Sequence, residues 1–188
     1  MSLPKKLVSY LEKNKVRYDI LKHRIAYTAY DLAATLRVPE VGVTKALLLK
    51  TEQGLVLALL SAAHQLDLAR VLKVLKAKKA RILKESEMVK ALKLGRKPLH
   101  AFSKLYKIPV VMERALLKNK SLILPSGAFT ESLKLSIKSF LTLENPIVGT
   151  FGVRRKSKAA KQKKKNGTTS KKKRAPIRRI MNHGFPKP

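Results

Sequence analysis

Lys45 stands where a charge is costly. The run Val43-Thr44-Lys45-Ala46-Leu47-Leu48-Leu49-Lys50 is apolar apart from Thr44 and its lysines, and the turn Thr51-Glu52-Gln53-Gly54 separates it from a second apolar run, Leu55 to Ala62. Two such runs about a glycine-containing connection read as a β-hairpin. Alternate residues of a strand share a face, so Lys45 points the same way as Val43, Leu47 and Leu49. An ammonium on an apolar face needs compensation, and the run itself contains no acid. Two readings stay open. Either an anionic or carbonyl-rich ligand completes the lysine's surroundings, or the strand lies at an edge and the lysine snorkels its head into water.

The remaining chemical inventory is thin. His23, His64, His100 and His183 have no metal-ligand spacing, and the acids are scattered without a paired-carboxylate signature. The chain holds no Gly-rich phosphate loop and no G-x-S-x-G elbow. Zero cysteines exclude disulfides, thiolate metal sites and cysteine nucleophiles. Metal hydrolases and triad hydrolases are thereby disfavoured, and no metal or cofactor is expected. Catalysis, if present, falls to Lys45, to backbone amides and to groups on the substrate.

Charge points to the partner. The 188 residues carry 43 Lys+Arg against 11 Asp+Glu, a formal net charge of +32. From Arg154 to Pro188 there are 15 basic residues and no acid, so 43 − 15 = 28 basic residues against 11 acids leave residues 1–153 at +17. A polyanion is implied, nucleic acid before a ribosomal surface or anionic membrane. The N-terminus shows an amphipathic pattern rather than a signal peptide, and no apolar run is long enough to span a bilayer. A cytoplasmic location is expected.

The elements that position Lys45 follow from periodicity. Leu3 to Asn14 has the apolar spacing of an amphipathic helix, and Val16 to Leu21 alternates as a strand. Thr28 followed by Asp31 is a variant capping box, opening a helix with Tyr30, Leu32, Ala33 and Leu36 on its apolar stripe. After the hairpin, Leu66 to Ala77 reads as a helix, Ala80–Leu83 as a strand and Glu85–Leu92 as a helix. Gly95 to Lys107 has no clean period and reads as a loop, of the kind that often carries function. Pro109–Glu113, Ser121–Leu124 and Ser132–Leu135 read as strands, with a helical turn at Arg114–Asn119, a turn at Pro125–Ala128 and a last short helix or strand at Ile137–Leu143. Short strands interspersed with helices, without a regular βαβ repeat, argue for α+β with a mixed or antiparallel sheet. The compact domain is placed at residues 1–150. Residues 151–188 are lysine- and arginine-rich, nearly devoid of apolar residues before Ile177, and expected to be disordered when free.

The ordered set Tyr18, His23, Ala29, Ala33-Ala34, Val38-Pro39, Val43-Thr44-Lys45-Ala46-Leu47-Leu48-Leu49, Leu57-Ala58-Leu59-Leu60-Ser61-Ala62, Leu66-Asp67-Leu68, a Gly/Pro loop and Ser126-Gly127 resembles the YbaK/ProX family. These are free-standing relatives of the prolyl-tRNA synthetase editing domain, and the resemblance covers about residues 5–143. It implies a mixed, barrel-like β-sheet flanked by helices. The implied activity is trans-acting aminoacyl-tRNA deacylation, hydrolysis of the ester that joins a wrong amino acid to the tRNA 3′ end. Lys45 would hold the terminal phosphate or the ester and stabilise charge rather than act as a general base. His23, Thr44, Ser61, His64, Gly95, Pro98, Ser126 and Gly127 would line the substrate site. The family's Gly-x-x-x-Pro loop corresponds to Gly95-Arg96-Lys97-Pro98, which is one residue shorter here and carries two cations. That departure favours the alternative, a non-catalytic RNA- or ribosome-binding protein on the same fold. Structural readings stand beside these: Gly95 and Pro98 as loop punctuation, Ser126-Gly127 as a plain turn, His23 as a half-buried hydrogen-bonded histidine and His64 as a cap.

Nucleic-acid contacts are assigned to Lys73, Lys76, Lys78, Lys79, Arg96 and Lys97, and in the tail to Arg154, Arg155, Lys163, Lys164, Lys165, Lys171, Lys172, Lys173 and Arg174. Deleting Arg154–Pro188 is expected to weaken RNA binding and flatten its dependence on log[salt], while leaving the domain folded. An unchanged slope in a salt titration would contradict a role for the tail.

Overall fold

The computed structural model describes residues 3–95 and 97–154. Arg96, and the tail from Arg155 onward with its assigned cations and its expected disorder, lie outside the described residues.

The chain opens with α1 (Lys5–Lys13), in which Leu7 and Leu11, one turn apart, are fully buried. β1 (Asp19–Lys22) leads to α2 (Ala29–Leu36), whose cap Thr28 accepts the Asp31 amide hydrogen at 3.0 Å, as the Thr-x-x-Asp spacing requires. The hairpin is β2 (Thr44–Thr51) and β3 (Gly54–Ser61), with Thr44 opposite Ser61 and Thr51 opposite Gly54. Gly54 takes φ +129° to close the turn, a conformation open to glycine alone. β4 (His64–Leu66), α3 (Leu68–Leu75), β5 (Ala80–Ile82) and α4 (Glu85–Leu92) follow. A 3-10 turn at Ser103–Tyr106 precedes β6 (Val110–Glu113), and another at Arg114–Lys118 precedes β7 (Ser121–Pro125) and β8 (Glu131–Ser136). α5 (Ile137–Glu144), β9 (Ile147–Gly149) and β10 (Gly152–Arg154) complete the described chain.

The α+β class and the mixed sheet are observed. A five-stranded sheet has the order β5-β2-β3-β6-β9, antiparallel from β5 to β3 and parallel from β3 to β9. β1, β8 and β7 form an antiparallel three-stranded sheet, and β10 pairs with β4. The described strands divide among three sheets, and these do not join into a closed barrel. β5 is only three residues long and pairs with Leu49–Thr51, whereas the three-stranded sheet meets the β2 end at the Val43–Ile123 bridge.

Other differences have local causes. The strand read from Val16 begins at Asp19, and Ile137–Glu144 is a helix, capped by the Ser136 hydroxyl on the Ser139 amide. Tyr30, read as part of an inward stripe, is 49 % exposed. The aperiodic stretch after Gly95 contributes Ala101 and Phe102 to the core, because the Glu144 carboxylate ties it down. Glu144 accepts from the Ser103 hydroxyl at 2.8 Å, the Lys104 amide at 3.1 Å and the Tyr10 hydroxyl at 2.9 Å. Sheet pairing also continues past residue 150, where Arg154, assigned to the tail, stands opposite His64. A truncation that spares the sheet must therefore begin at Arg155.

β3 is buried on both faces, which accounts for its unbroken apolar run. Leu57 and Leu59 join a core with α1, α5 and the three-stranded sheet, while Val56, Ala58 and Leu60 join another with Val71 of α3 and Phe151. Leu32 and Ala33 seat α2 on Val43, Ala62 and Ile123.

One buried carboxylate fastens the last strand. Glu113 Oε2 accepts the Phe151 amide at 2.6 Å and the Gly152 amide, and its Oε1 accepts the Ala115 amide at 3.4 Å. Replacing Glu113 by Ala strands these buried donors and is expected to cost about 2–3 kcal/mol of stability. Glu113→Gln keeps the shape and an acceptor and is expected to cost less; urea midpoints at constant m-value check the order.

Candidate active site

The two sheets leave a gap along one strand edge. β5 pairs with β2 only from Leu49 onward, and the bridge to β7 lies at Val43, so Thr44–Leu48 has no strand partner on its outer side. Leu48's carbonyl accepts the Leu83 amide at 2.9 Å across that side. Strand alternation turns the amide and carbonyl of Ala46 the same way. A cavity of about 630 Å³ occupies the gap. Its floor is Thr44–Leu48, and its walls come from the leader of α2 (Ala26–Ala29), from Leu83, Glu85 and Met88 around α4, from Pro98–Leu99, and from Pro125, Ala128 and Phe129 after β7.

Lys45 lines this cavity and is half-buried. It shares a face with Leu47 and Leu49, as alternation requires, and stands opposite Leu60. Its Nζ donates to the carbonyl oxygen of His64. Of the two readings left open, an anionic or carbonyl-rich ligand and a head snorkelled into water, neither describes this contact, which is made to a backbone carbonyl of the protein itself. The ammonium has three donors, of which this bond takes one.

Thr44 faces the other way, with Ala46 and Leu48, and is 1 % exposed. Among the described residues its Oγ1 has no hydrogen-bond partner, and it is shut off from solvent although Thr44 as a residue lines the cavity floor. Among the described residues the other such side-chain atom is His64 Nδ1.

His23 is in the wall and its tautomer can be deduced. Nδ1 lies 2.7 Å from the Arg24 carbonyl, which can only accept, so Nδ1 carries the proton. Nε2, 2.9 Å from the Ser132 hydroxyl, then accepts from it. Thus His23, Thr44, Lys45 and Pro98 of the expected set meet at the cavity.

The others stand elsewhere. Ser61 Oγ donates to the Glu40 carbonyl at 2.9 Å, and Ser126 Oγ donates to the Glu131 carbonyl at 2.6 Å; each also accepts a nearby amide, so both brace the turns they occupy. His64 contributes its carbonyl to Lys45 and its ring is outside the cavity wall. Gly95 is exposed at φ +62°, with no atom within 4 Å of where a Cβ would stand. Gly127, at φ +85°, packs where a Cβ would meet Pro4 at 3.2 Å and the Pro98 carbonyl at 3.5 Å, so it lets the Pro98 loop close down. Lys73, Lys76, Lys78 and Lys79 lie exposed on α3 and its exit, away from the cavity wall, and exposed Lys97 adjoins Pro98. Sequence reasoning missed Tyr27, Glu85, Phe129 and Ser132, which lack any local signal.

An α+β scaffold with a split mixed sheet around such a site is the editing-domain type. The chain belongs to the aminoacyl-tRNA editing domain family, whose match spans residues 23–143; the resemblance read from the motifs is borne out. Solved structures share the fold. One titled hypothetical protein APE2540 aligns with TM-score 0.69 at 17 % identity, over 79 % of this chain and all of that one. A candidate trans-editing enzyme for prolyl tRNA synthetase aligns with TM-score 0.62 at 18 % identity, over 82 % of this chain and all of that one. A candidate signal transduction protein from Marinobacter aquaeolei VT8 aligns with TM-score 0.64 at 18 % identity, over 95 % of this chain but 38 % of its own length. Among curated proteins, none matches the sequence.

Next to the wall residue Leu99, His100 is buried and stacked on Tyr106, ring centroids 4.1 Å apart and 12° from parallel. Burial holds its imidazole down to about 4. The unfolded chain therefore takes up a proton below about pH 6.5 that the folded chain refuses until about pH 4, and stability falls as pH drops through that window. A loss of about 3 kcal/mol is expected. Thermal melts from pH 7 to 5, above the carboxylate range, should show this slope in the wild type and not in a His100→Gln variant.

Proposed function

We propose that the protein is a trans-acting aminoacyl-tRNA deacylase of the cytoplasm, and that the cavity over β2 receives the aminoacyl ester at the tRNA 3′ end. The observation that carries this reading is half-buried Lys45 in the wall of a cavity that opens on the edge of β2 left without a strand partner among the described residues. Such an edge offers what ester hydrolysis needs. Water attacks the ester carbonyl, negative charge collects on the carbonyl oxygen, and the bond to the ribose oxygen breaks. The water oxygen stays with the amino acid as its carboxylate, one of the water's protons passes to the leaving ribose oxygen to make it a hydroxyl, and the other is released to solvent. The Ala46 amide, which faces the open edge, is a donor able to meet the developing oxyanion, and the Lys45 ammonium adds positive potential held in place by the His64 carbonyl. The titratable wall residues besides Lys45 are His23, Tyr27 and Glu85. His23 is committed through both nitrogens, which fits a site where the substrate's own hydroxyl orients the water. Family membership supports the substrate class, and the basic surface supports RNA as partner.

The need is physical: recognition of one methylene is worth only about 1–3 kcal/mol, so a second sieve improves charging fidelity. A second reading, RNA binding without turnover, draws on Gly95. It stands outside the cavity wall, so the shortened Gly95–Pro98 loop reaches the site through Pro98 alone among its described residues.

The test is a panel of Ala-, Cys-, Ser- and Pro-charged tRNAs. Deacylation of at least one is expected. Lys45→Ala should lower kcat/KM at least about a hundredfold. A wild-type protein that releases no amino acid across the panel selects the binding reading.

A further inference from the structure

The cavity mouth carries an aromatic pair that the hydrolytic scheme does not use. Tyr27, in the leader of α2, is 78 % exposed, and Phe129, in the turn between β7 and β8, is half-buried. Their ring centroids are 5.6 Å apart and the rings are tilted by 58°. Both line the cavity, and neither belongs to a core cluster. Single exposed apolar residues need no explanation, but two rings gathered at a cavity mouth do. They are also held there. The His23 amide donates to the Thr130 carbonyl at 2.9 Å and the Ala26 amide to the Phe129 carbonyl at 3.2 Å, lacing the two segments together behind the rings.

Exposed cations adjoin several wall residues in sequence. Exposed Lys22 and Arg24 flank the wall residue His23, exposed Lys84 lies between the wall residues Leu83 and Glu85, and exposed Lys97 precedes Pro98. A ligand suited to both features has a flat π-face tethered to phosphate. A terminal nucleotide is such a ligand, and its ribose bears the ester that must reach Thr44 and Lys45. We infer that Tyr27 and Phe129 form a stacking platform for the 3′-terminal base of the acceptor RNA. This deepens the editing reading and rests on it for the identity of the RNA. Stacking tolerates any base, so the platform fixes where the ribose lies, and it leaves the choice of amino acid to the cavity below.

The test uses an uncharged acceptor-stem hairpin with 2-aminopurine as its 3′-terminal base, a second hairpin with the probe inside the stem, and the full-length protein. Wild type is expected to change the terminal probe's emission on binding and to leave the internal probe unchanged. Tyr27→Ala and Phe129→Ala should each remove most of that change and weaken binding of the terminal-probe hairpin about tenfold, within the range for loss of one base stack. Tyr27→Phe should retain both. Tyr27 is mostly solvent-exposed, so its variants test stacking without touching the core. Wild-type binding with terminal emission unmoved overturns the platform, even where mischarged tRNA is still hydrolysed. An unaltered emission change in both alanine variants, with a shift in which amino acid is released, overturns it too and assigns the rings to the amino-acid pocket. An emission change lost on Tyr27→Ala in a protein that deacylates nothing retains the platform and removes the hydrolase reading alone.

Discussion

β2 has one edge and too few partners for it. Buried backbone amides and carbonyls must be hydrogen-bonded, and an open edge is a template for whatever can pair with it. β5 satisfies the C-terminal part of the edge and the Val43–Ile123 bridge touches its start, so Thr44–Leu48 opens onto a cavity. The candidate site is that vacancy between two sheets. The walls are segments whose positions are set elsewhere: α2 by Leu32 and Ala33 on the small core, and the stretch after Pro98 by the Glu144 network.

The polarity of the floor follows from strand alternation. Lys45 and Thr44 are neighbours in sequence and so project to opposite faces. Lys45 reaches toward β4, where the His64 carbonyl receives it, and that carbonyl is placed by β10, which the buried Glu113 carboxylate pins to β6. A buried acid remote from the cavity thus positions the cation in its floor, through two strands. Thr44 projects to the other face, where its hydroxyl is buried without a hydrogen-bond partner among the described residues.

Much of this was legible. The hairpin declared itself because two apolar runs about Glu52-Gln53-Gly54 admit few other arrangements, and Lys45 declared itself by breaking the pattern. The α2 start was readable from Thr28 and Asp31. Helix ends were not: Arg37, Lys76 and Lys93 take the left-handed conformation that usually announces itself as glycine. Cations suit the negative end of a helix, but on so basic a chain they carry no positional signal. Ser61 and Ser126 matched the family pattern yet serve the backbone, because a short hydroxyl beside a turn finds amides and carbonyls first. The stretch from Gly95 to Lys107 showed no period since its burial depends on partners far along the chain, Glu144 and Tyr10. Tyr27 and Phe129 meet only because the α2 leader and the β7–β8 turn are laced together, which no window of sequence reveals.

Most of the acids are engaged in local contacts. Asp67 caps α3, Asp31 accepts the hydroxyl of the α2 cap Thr28, Glu52 holds the Lys78 and Lys79 amides, Glu131 takes the Leu3 amide, and Glu113 and Glu144 are buried on backbone donors. Those amide bonds lower the Glu52 carboxyl below its ordinary value, and the Arg81 guanidinium holds Glu87 down to about 2. These carboxylates stay ionised, and it is the excess of 43 basic over 11 acidic residues that leaves the surface positive. Long-range attraction to polyanions of that kind does not discriminate among RNAs. Discrimination has to come from a place where geometry is fixed. The bare edge of β2, closed on one side by Lys45 and its carbonyl partner and rimmed by two rings, is where this chain combines fixed donors with a mouth shaped for a flat ligand.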